Sequence, residues 1–199
     1  MMSDAMAELV QQRSEGQWCL FVDRDGVINR RIMAGYVLDW TGFEFLPGAL
    51  DALRSLARWA PRIVVVTNQQ GVGKGLMTTE KLEEIHQRMI DAVRHAGGRI
   101  DAVQTCPHLA SEGCTCRKPL PGMAMAYLNA HPDVDGSLSI MIGDTDSDVE
   151  MARRLGAATG GCLAVRIDDV ADPHADLTFA GLAEFAAFVD VARTSYSVE

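Results

Sequence analysis

Short apolar runs rich in β-branched residues alternate along the chain with longer stretches in which apolar residues recur every three or four positions. Leu20-Phe21-Val22 reads as a buried strand that runs straight into Asp23-Arg24-Asp25-Gly26. Ile63-Val64-Val65-Val66 reads as a second, stopping at Thr67-Asn68. Residues 100–105, 138–142 and 162–165 supply three more strand candidates, the middle one ending at Gly143-Asp144. Helical spacing predicts helices over 47–59, from Thr78 or Thr79 to about His95, over 122–130, over 149–155 and over 181–191. The segment holding Gly71, Gly73 and Gly75 reads as irregular.

This alternation predicts an α/β fold with a mainly parallel sheet. No repeat, low-complexity tract or linker divides the chain, so one domain is expected over residues 18–191, with an N-terminal extension (1–17) and a C-terminal tail (192–199). Asp23, Thr67 and Asp144 each stand where an apolar strand stops. In an open parallel sheet the carboxyl ends of the strands converge on the crevice where ligands bind, so three polar residues far apart in sequence are brought together.

Composition narrows the class. With 199 residues, 48% of them hydrophobic, one globular domain with a sizeable core is expected. The opening MMSDAMAELVQQRSEGQ lacks a basic start followed by an apolar run, and the longest run of consecutive aliphatics, Ile63 to Val66, is far short of a membrane span. A soluble, cytoplasmic monomer is expected. A formal net charge of −9 disfavours nucleic acid and anionic membrane as partners. A chain of this balance that handles phosphate must gather its cations locally.

The strand-end residues suit phosphoryl chemistry. Of two carboxylates bracketing one residue, Asp23 and Asp25, one can attack phosphorus while the other protonates the leaving oxygen and later activates water. Gly26 lets the chain turn away. Two close anions facing an anionic substrate need a cation, and Mg²⁺ with oxygen ligands fits, with Asp144 and Asp148 completing the carboxylate set. Thr67 and Asn68 offer donors to phosphoryl oxygens, and Lys118 a fixed positive charge. Arg24, Arg30, Arg31 and Arg117 are the cations available to grip the rest of an anionic substrate. Taken singly, each of these is ordinary turn or capping chemistry; their order and their placement at strand ends argue for a site.

Three of the five cysteines crowd into residues 106–116. Cys106-Pro-His108 and Cys114-Thr-Cys116 present three thiolates and one imidazole, which fill a tetrahedral Zn²⁺ shell without an open position and so predict a structural site. The competing reading is a set of buried apolar cysteines beside a surface histidine. Zinc at Cys116 would fix where Arg117 and Lys118 point. Cys19 and Cys162 sit in apolar runs and read as core; His86, His95, His131 and His174 have no partners at suggestive spacings.

DxDG as Asp23-Arg24-Asp25-Gly26, Thr67-Asn68, Arg117-Lys118-Pro119 and Gly143-Asp144 through Asp148 together resemble the haloacid dehalogenase-like phosphatases. More narrowly, DRDGVIN (23–29), TNQQGVGKG (67–75), CPH (106–108) and CTCRKPLPG (114–122) resemble the D-glycero-D-manno-heptose 1,7-bisphosphate phosphatase and histidinol-phosphatase family over about residues 18–170. The resemblance implies a Rossmann-like three-layer α/β/α sandwich with no large cap domain and a short zinc loop. It implies Asp23 as the phosphorylated nucleophile and Asp25 as general acid/base, with Thr67 and Lys118 stabilising the phosphoryl group. Mg²⁺ would be held by Asp23, Asp144 and the Asp25 carbonyl, and Zn²⁺ by Cys106, His108, Cys114 and Cys116. Arg117 would recognise substrate, and beside it Arg24, Arg31 and Asn68 are expected as substrate contacts from their place around the strand ends.

One departure stands out. The family usually carries Lys or Arg after the first acid of its last motif, where this chain has Thr145, left as a hydrogen-bonding substrate contact. The leading expectation is removal of the C7 phosphate of a heptose 1,7-bisphosphate, toward nucleotide-activated heptose. The runner-up is histidinol-phosphate phosphatase, with Asp146 as the carboxylate a cationic amino alcohol would want. A non-catalytic sugar-phosphate binding protein is a third reading, set against by the retention of both Asp23 and Asp25.

Overall fold

The computed structural model describes residues 8, 10–13 and 15–195. Alternation along the central strands sets the architecture. In β1 (Cys19–Val22), Leu20 and Val22 point to one face, Cys19 and Phe21 to the other, and all four are buried. The same division holds in β2 (Arg62–Asn68), with Ile63 and Val65 opposite Val64 and Val66. A strand buried on both faces needs helices on both, and the chain supplies them. On one side α1 (Ala49–Leu56), α3 (Thr79–His95) and α6 (Leu182–Ser195) bring Leu53, Ile85, Met89 and Phe185. On the other, α4 (Gly122–Ala130) and α5 (Asp146–Thr159) bring Met123, Tyr127, Met151 and Leu155. The result is the expected three-layer sandwich.

The remaining strands are β3 (Ala102–Cys106), β4 (Ile140–Gly143), β5 (Leu163–Ile167) and β6 (Leu177–Phe179). The sheet is wholly parallel in the order β3-β2-β1-β4-β5-β6. The chain winds outward from β1 through β2 to β3, then returns to the other side of β1 for β4, β5 and β6. The switch point therefore lies between the carboxyl ends of β1 and β4, where Asp23 and Asp144 emerge.

Several boundaries differ from expectation. Residues 70–73, read as irregular, form a short helix α2 (Gln70–Gly73). Its glycines serve close packing: a Cβ on Gly73 would come within 2.7 Å of the Pro107 carbonyl. The three-residue edge strand β6 has no counterpart among the expected strands. α6 continues past the expected tail boundary at 191, because Ala192 is buried among the helix's core contacts. Part of the expected N-terminal extension is likewise packed: Val10 and Arg13 are buried, Arg13 Nε donates to the Leu138 carbonyl at 2.7 Å, and Trp18 Nε1 donates to the Arg13 carbonyl at 2.8 Å. Residues 196–199 of the tail lie outside the described residues. Among the described residues no helix is long and apolar enough to cross a membrane.

Leu53, fully enclosed within the cluster that joins α1, α3 and α6 to the sheet, tests the larger core half. Leu53→Ala is expected to cost about 3 kcal/mol, read as a lowered urea midpoint with an unchanged slope.

Candidate active site

β1 ends at Val22, and the Asp23 amide donates to the Ile142 carbonyl at 2.8 Å, so the first acid is pinned beside β4. The chain then turns back on itself. The Gly26 amide donates to the Asn29 carbonyl at 2.7 Å, and Gly26 has φ +97°, a left-handed conformation that only glycine adopts without strain. A Cβ there would also overlap the Asp144 carboxylate, so the two acidic motifs close on each other only because residue 26 has no side chain.

Asp23, Asp144 and Asp148 place one carboxylate oxygen each within 4.8 Å of the others. Two cations sit among them. Lys118 Nζ lies 2.7 Å from Asp23 Oδ1 and 2.7 Å from Asp148 Oδ1. Arg31 Nη2 lies 2.7 Å from Asp144 Oδ1 and 4.0 Å from Asp23 Oδ2. Burial pushes the Asp23 carboxyl up to about 7, against the pull of Lys118 and with further upward pressure from Asp148. Burial also lifts Asp144 to about 6, opposed by Arg31 and reinforced by Asp148. Burial alone would depress Lys118, but Asp148 and Asp23 outweigh it and hold the ammonium above its ordinary value. Carboxylates that crowd one another in a desolvated pocket and draw in whatever cations are near are a fitting donor set for a hard divalent ion.

Asp25 is treated differently. Its carboxylate accepts from Arg24 Nη2 at 3.0 and 2.9 Å, from Asn29 Nδ2 at 2.9 Å and from Gln69 Nε2 at 2.8 Å. Burial would raise it, yet the Arg24 charge and the bonds from Asn29, Arg24 and Gln69 prevail and hold it below the usual carboxylate range. Gln69 also donates to Thr67 Oγ1 at 2.8 Å, which joins the end of β2 to the end of β1.

A cavity of about 260 Å³ opens over this floor, lined by Asp23, Asp25, Arg31, Thr67, Asn68, Gln69, Lys118 and Thr145, with residues 35–37 on its wall. At its edge Gln70 binds three loops together. Its Nε2 donates to the Tyr36 hydroxyl at 3.2 Å, its Oε1 accepts from the Ala110 amide at 2.8 Å, and Lys74 Nζ lies 5.3 Å from the centre of the Tyr36 ring.

The structure redistributes several expected roles. Arg24, expected to grip substrate, is fully buried beneath Asp25, because its guanidinium is consumed by that carboxylate and by His86. Arg30 is turned outward onto Glu44 at 2.9 Å. Asn68 gives both ends of its amide to the Lys118 backbone, donating to its carbonyl at 3.2 Å and accepting from its amide at 3.1 Å, and so clamps the lysine. Thr145, on the cavity lining, donates its hydroxyl to Asp148 Oδ2 at 2.6 Å at the start of α5. Arg117 does not line the cavity floor; it is half-buried near Tyr36, and its Nη1 has no hydrogen-bond partner among the described residues. Asp146 is fully exposed and paired with Arg166 at 2.9 Å, away from the cavity. Tyr36 and His86 carry no sequence signal, and Asn29 and Gln69, though they stand within DRDGVIN and TNQQGVGKG, have no role legible by themselves, since each matters only through what the fold places beside it.

Beyond β3, Cys106, His108, Cys114 and Cys116 converge. Cys116 Sγ is 3.2 Å from Cys106 Sγ, 3.5 Å from Cys114 Sγ and 3.1 Å from His108 Nδ1, and Cys106 Sγ is 3.5 Å from Cys114 Sγ. A tetrahedral zinc with ligands at about 2.3 Å for sulfur and about 2.0 Å for nitrogen sets sulfurs about 3.8 Å apart and sulfur and nitrogen about 3.5 Å apart, so the four atoms, gathered slightly inside that spacing, form a suitable donor set for the ion.

A family profile described as HAD-hydrolase-like matches residues 115–166. The chain is 48% identical to the D-glycero-alpha-D-manno-heptose-1,7-bisphosphate 7-phosphatase of Mycobacterium tuberculosis, over 93% of its own length and 98% of that protein's. It is 38% identical to the D-glycero-beta-D-manno-heptose-1,7-bisphosphate 7-phosphatase of Bordetella bronchiseptica, over 70% of its own length and 76% of that protein's. A crystal structure of the D,D-heptose 1,7-bisphosphate phosphatase from B. bronchiseptica, complexed with magnesium and phosphate, superposes with a TM-score of 0.76 at 31% identity, covering 88% of this chain and 99% of that one.

Proposed function

The chain belongs to the heptose-1,7-bisphosphate 7-phosphatase family of HAD-like hydrolases, and on that premise we propose that it removes the C7 phosphate of D-glycero-α-D-manno-heptose 1,7-bisphosphate with Mg²⁺. The observation that carries the chemistry is the buried Asp23 carboxylate, 2.7 Å from Lys118 and grouped with Asp144, with a second acid two residues on.

In this reading Asp23 attacks phosphorus as the bond to the sugar oxygen breaks, and Asp25 gives that oxygen its proton. Asp25 then takes a proton from water, which attacks the phosphoaspartate and frees Asp23 and phosphate. Asp25 starts below the usual carboxylate range, and the charge of an arriving phosphate next to it raises its proton affinity at the moment a proton is needed. Of the donors on Asp25, Gln69 is the one that shares the cavity wall, so the leaving oxygen displaces the Gln69 amide and leaves the buried Arg24 contact in place. Lys118 and Thr67 steady the transferring group. Mg²⁺, held by Asp23, Asp144 and the Asp25 carbonyl, neutralises the phosphoryl charge. Arg31 then gives up Asp144 and turns to substrate. Zn²⁺ on Cys106, His108, Cys114 and Cys116 serves structure.

The second phosphate of the substrate would be met beside Tyr36, where the Lys74 ammonium lies 5.3 Å from the ring centre and the Arg117 charge also acts on the hydroxyl. The runner-up substrate loses support with Asp146, whose carboxylate is already neutralised by Arg166 outside the cavity. Phosphate release should favour the α-heptose 1,7-bisphosphate over histidinol phosphate by about 10²-fold in kcat/KM, and Arg117→Ala should erode that preference by about tenfold or more through KM. Equal turnover of the two substrates, or an Arg117→Ala enzyme with unchanged preference, would sink the substrate assignment and leave the phosphatase chemistry standing.

A further inference from the structure

Behind the general acid/base lies a buried chain of contacts that extends past Arg24 to a residue with no part in the bond-making steps. Arg24 is fully enclosed. Its Nη2 holds both oxygens of Asp25, at 3.0 and 2.9 Å, and its Nη1 lies 3.1 Å from Nε2 of His86, a residue of α3 that is itself only 8% exposed. A guanidinium nitrogen only donates, so His86 Nε2 accepts and its proton resides on Nδ1. Burial, with the Arg24 charge adding to it and Asp25 opposing, depresses the imidazole to about 3, so the acceptor stays neutral wherever the enzyme works.

We infer that His86 is a positioning residue for catalysis: from α3 it fixes the Arg24 guanidinium, and through it the orientation of the Asp25 carboxyl that delivers the proton to the leaving oxygen. Two anchors define a planar guanidinium; with Nη1 released, the group can rotate and its forked hold on Asp25 loosens. Asn29 and Gln69 then remain, but Gln69 is the contact that the leaving oxygen displaces. His86 and Arg24 are therefore the part of the cradle that persists through the proton transfer. The inference rests on Asp25 acting as the general acid and is independent of which sugar is hydrolysed.

Leaving-group dependence tests it. Phenyl phosphate expels an oxygen about as basic as that of tyrosine and needs a proton, whereas 2,4-dinitrophenyl phosphate expels an anion that departs unaided. With saturating Mg²⁺, His86→Leu should lower kcat on phenyl phosphate about tenfold with KM nearly unchanged, and on the dinitrophenyl ester less than about twofold. His86→Gln, which returns a carbonyl acceptor to Arg24, should recover turnover of phenyl phosphate to within about threefold of the parent. Asp25→Asn, measured beside them, should show the same discrimination in stronger form. Equal losses of His86→Leu on both esters, or no advantage of Gln over Leu, would overturn the inference while leaving Asp25 in its role. An Asp25→Asn enzyme that does not discriminate would overturn both. Should His86→Leu not fold, the ¹⁵N spectrum of the parent decides. A neutral imidazole protonated on Nδ1 is expected, and protonation on Nε2 would rule out the contact.

Discussion

Asp23→Asn should abolish phosphate release, by about 10⁴-fold or more, in a protein that is otherwise folded. The amide cannot form the acyl phosphate, and no neighbouring group is placed to substitute. Asp144 is paired with Arg31 in the free protein and would be taken up by Mg²⁺ once Arg31 turns to substrate, and Asp148 gives one oxygen to Lys118 and the other to Thr145 at the start of α5. The fold should tolerate the change because the site already presses Asp23 toward neutrality: burial lifts its carboxyl to about 7, with Asp148 adding to the effect. The Asn carbonyl can keep the bond that Asp23 Oδ1 accepts from the Arg24 amide at 2.7 Å, and Lys118 retains Asp148. Initial rates with Mg²⁺, together with a melting curve, make the comparison. A melting temperature within a few degrees of the parent and no turnover fit the phosphoaspartate route. Residual turnover within a hundredfold would place the nucleophile elsewhere.

The legibility of this site in the sequence follows from how each residue is held. Asp23, Thr67 and Asp144 were readable because each ends an unbroken apolar strand, and parallel strands buried on both faces must open their carboxyl ends on one crevice. The Cys/His set was readable because ligand spacing is itself local. The sequence presents Arg24 as a substrate contact because charged side chains next to an acidic motif are ordinarily solvent-facing; its enclosure depends on α3 folding over it, which no local pattern records. The position of Asn68 at a strand end points to substrate, and the sequence gives no sign that Lys118, fifty positions away, engages both ends of its amide. His86 sits on the apolar stripe of α3, where periodicity reads it as one more inward position, and its partner lies 62 residues distant. Of the strands, β6 escaped because Leu177–Phe179 is too short to establish a period and owes its extension to pairing with β5.

Cys116→Ser should damage both stability and turnover, and the two losses carry different information. The chain between β3 and α4 has only a three-residue 3₁₀ turn, Ala110–Glu112, to organise it, and of the four residues proposed to hold zinc Cys106 alone is anchored in a strand. Three thiols and an imidazole, five of whose six pairs lie at 3.1–3.7 Å, gain little from their own weak hydrogen bonds; a shared ion is what makes such crowding favourable. Removing one ligand is therefore expected to lower zinc content below one per chain and to cost more than about 4 kcal/mol, the scale associated with loss of a structural metal. Lys118 lies two residues beyond Cys116 and must reach both Asp23 and Asp148 at 2.7 Å. A displacement of about 1 Å there costs about 10²-fold in rate. Asn68 clamps the Lys118 backbone independently of the loop, which makes the outcome discriminating. A fall in kcat of about 10²-fold at a temperature where the variant is still folded would mean that the loop, and not Asn68 alone, sets the lysine. A destabilised variant with parental kcat would assign that task to Asn68 and reduce the loop to a clasp between β3 and α4.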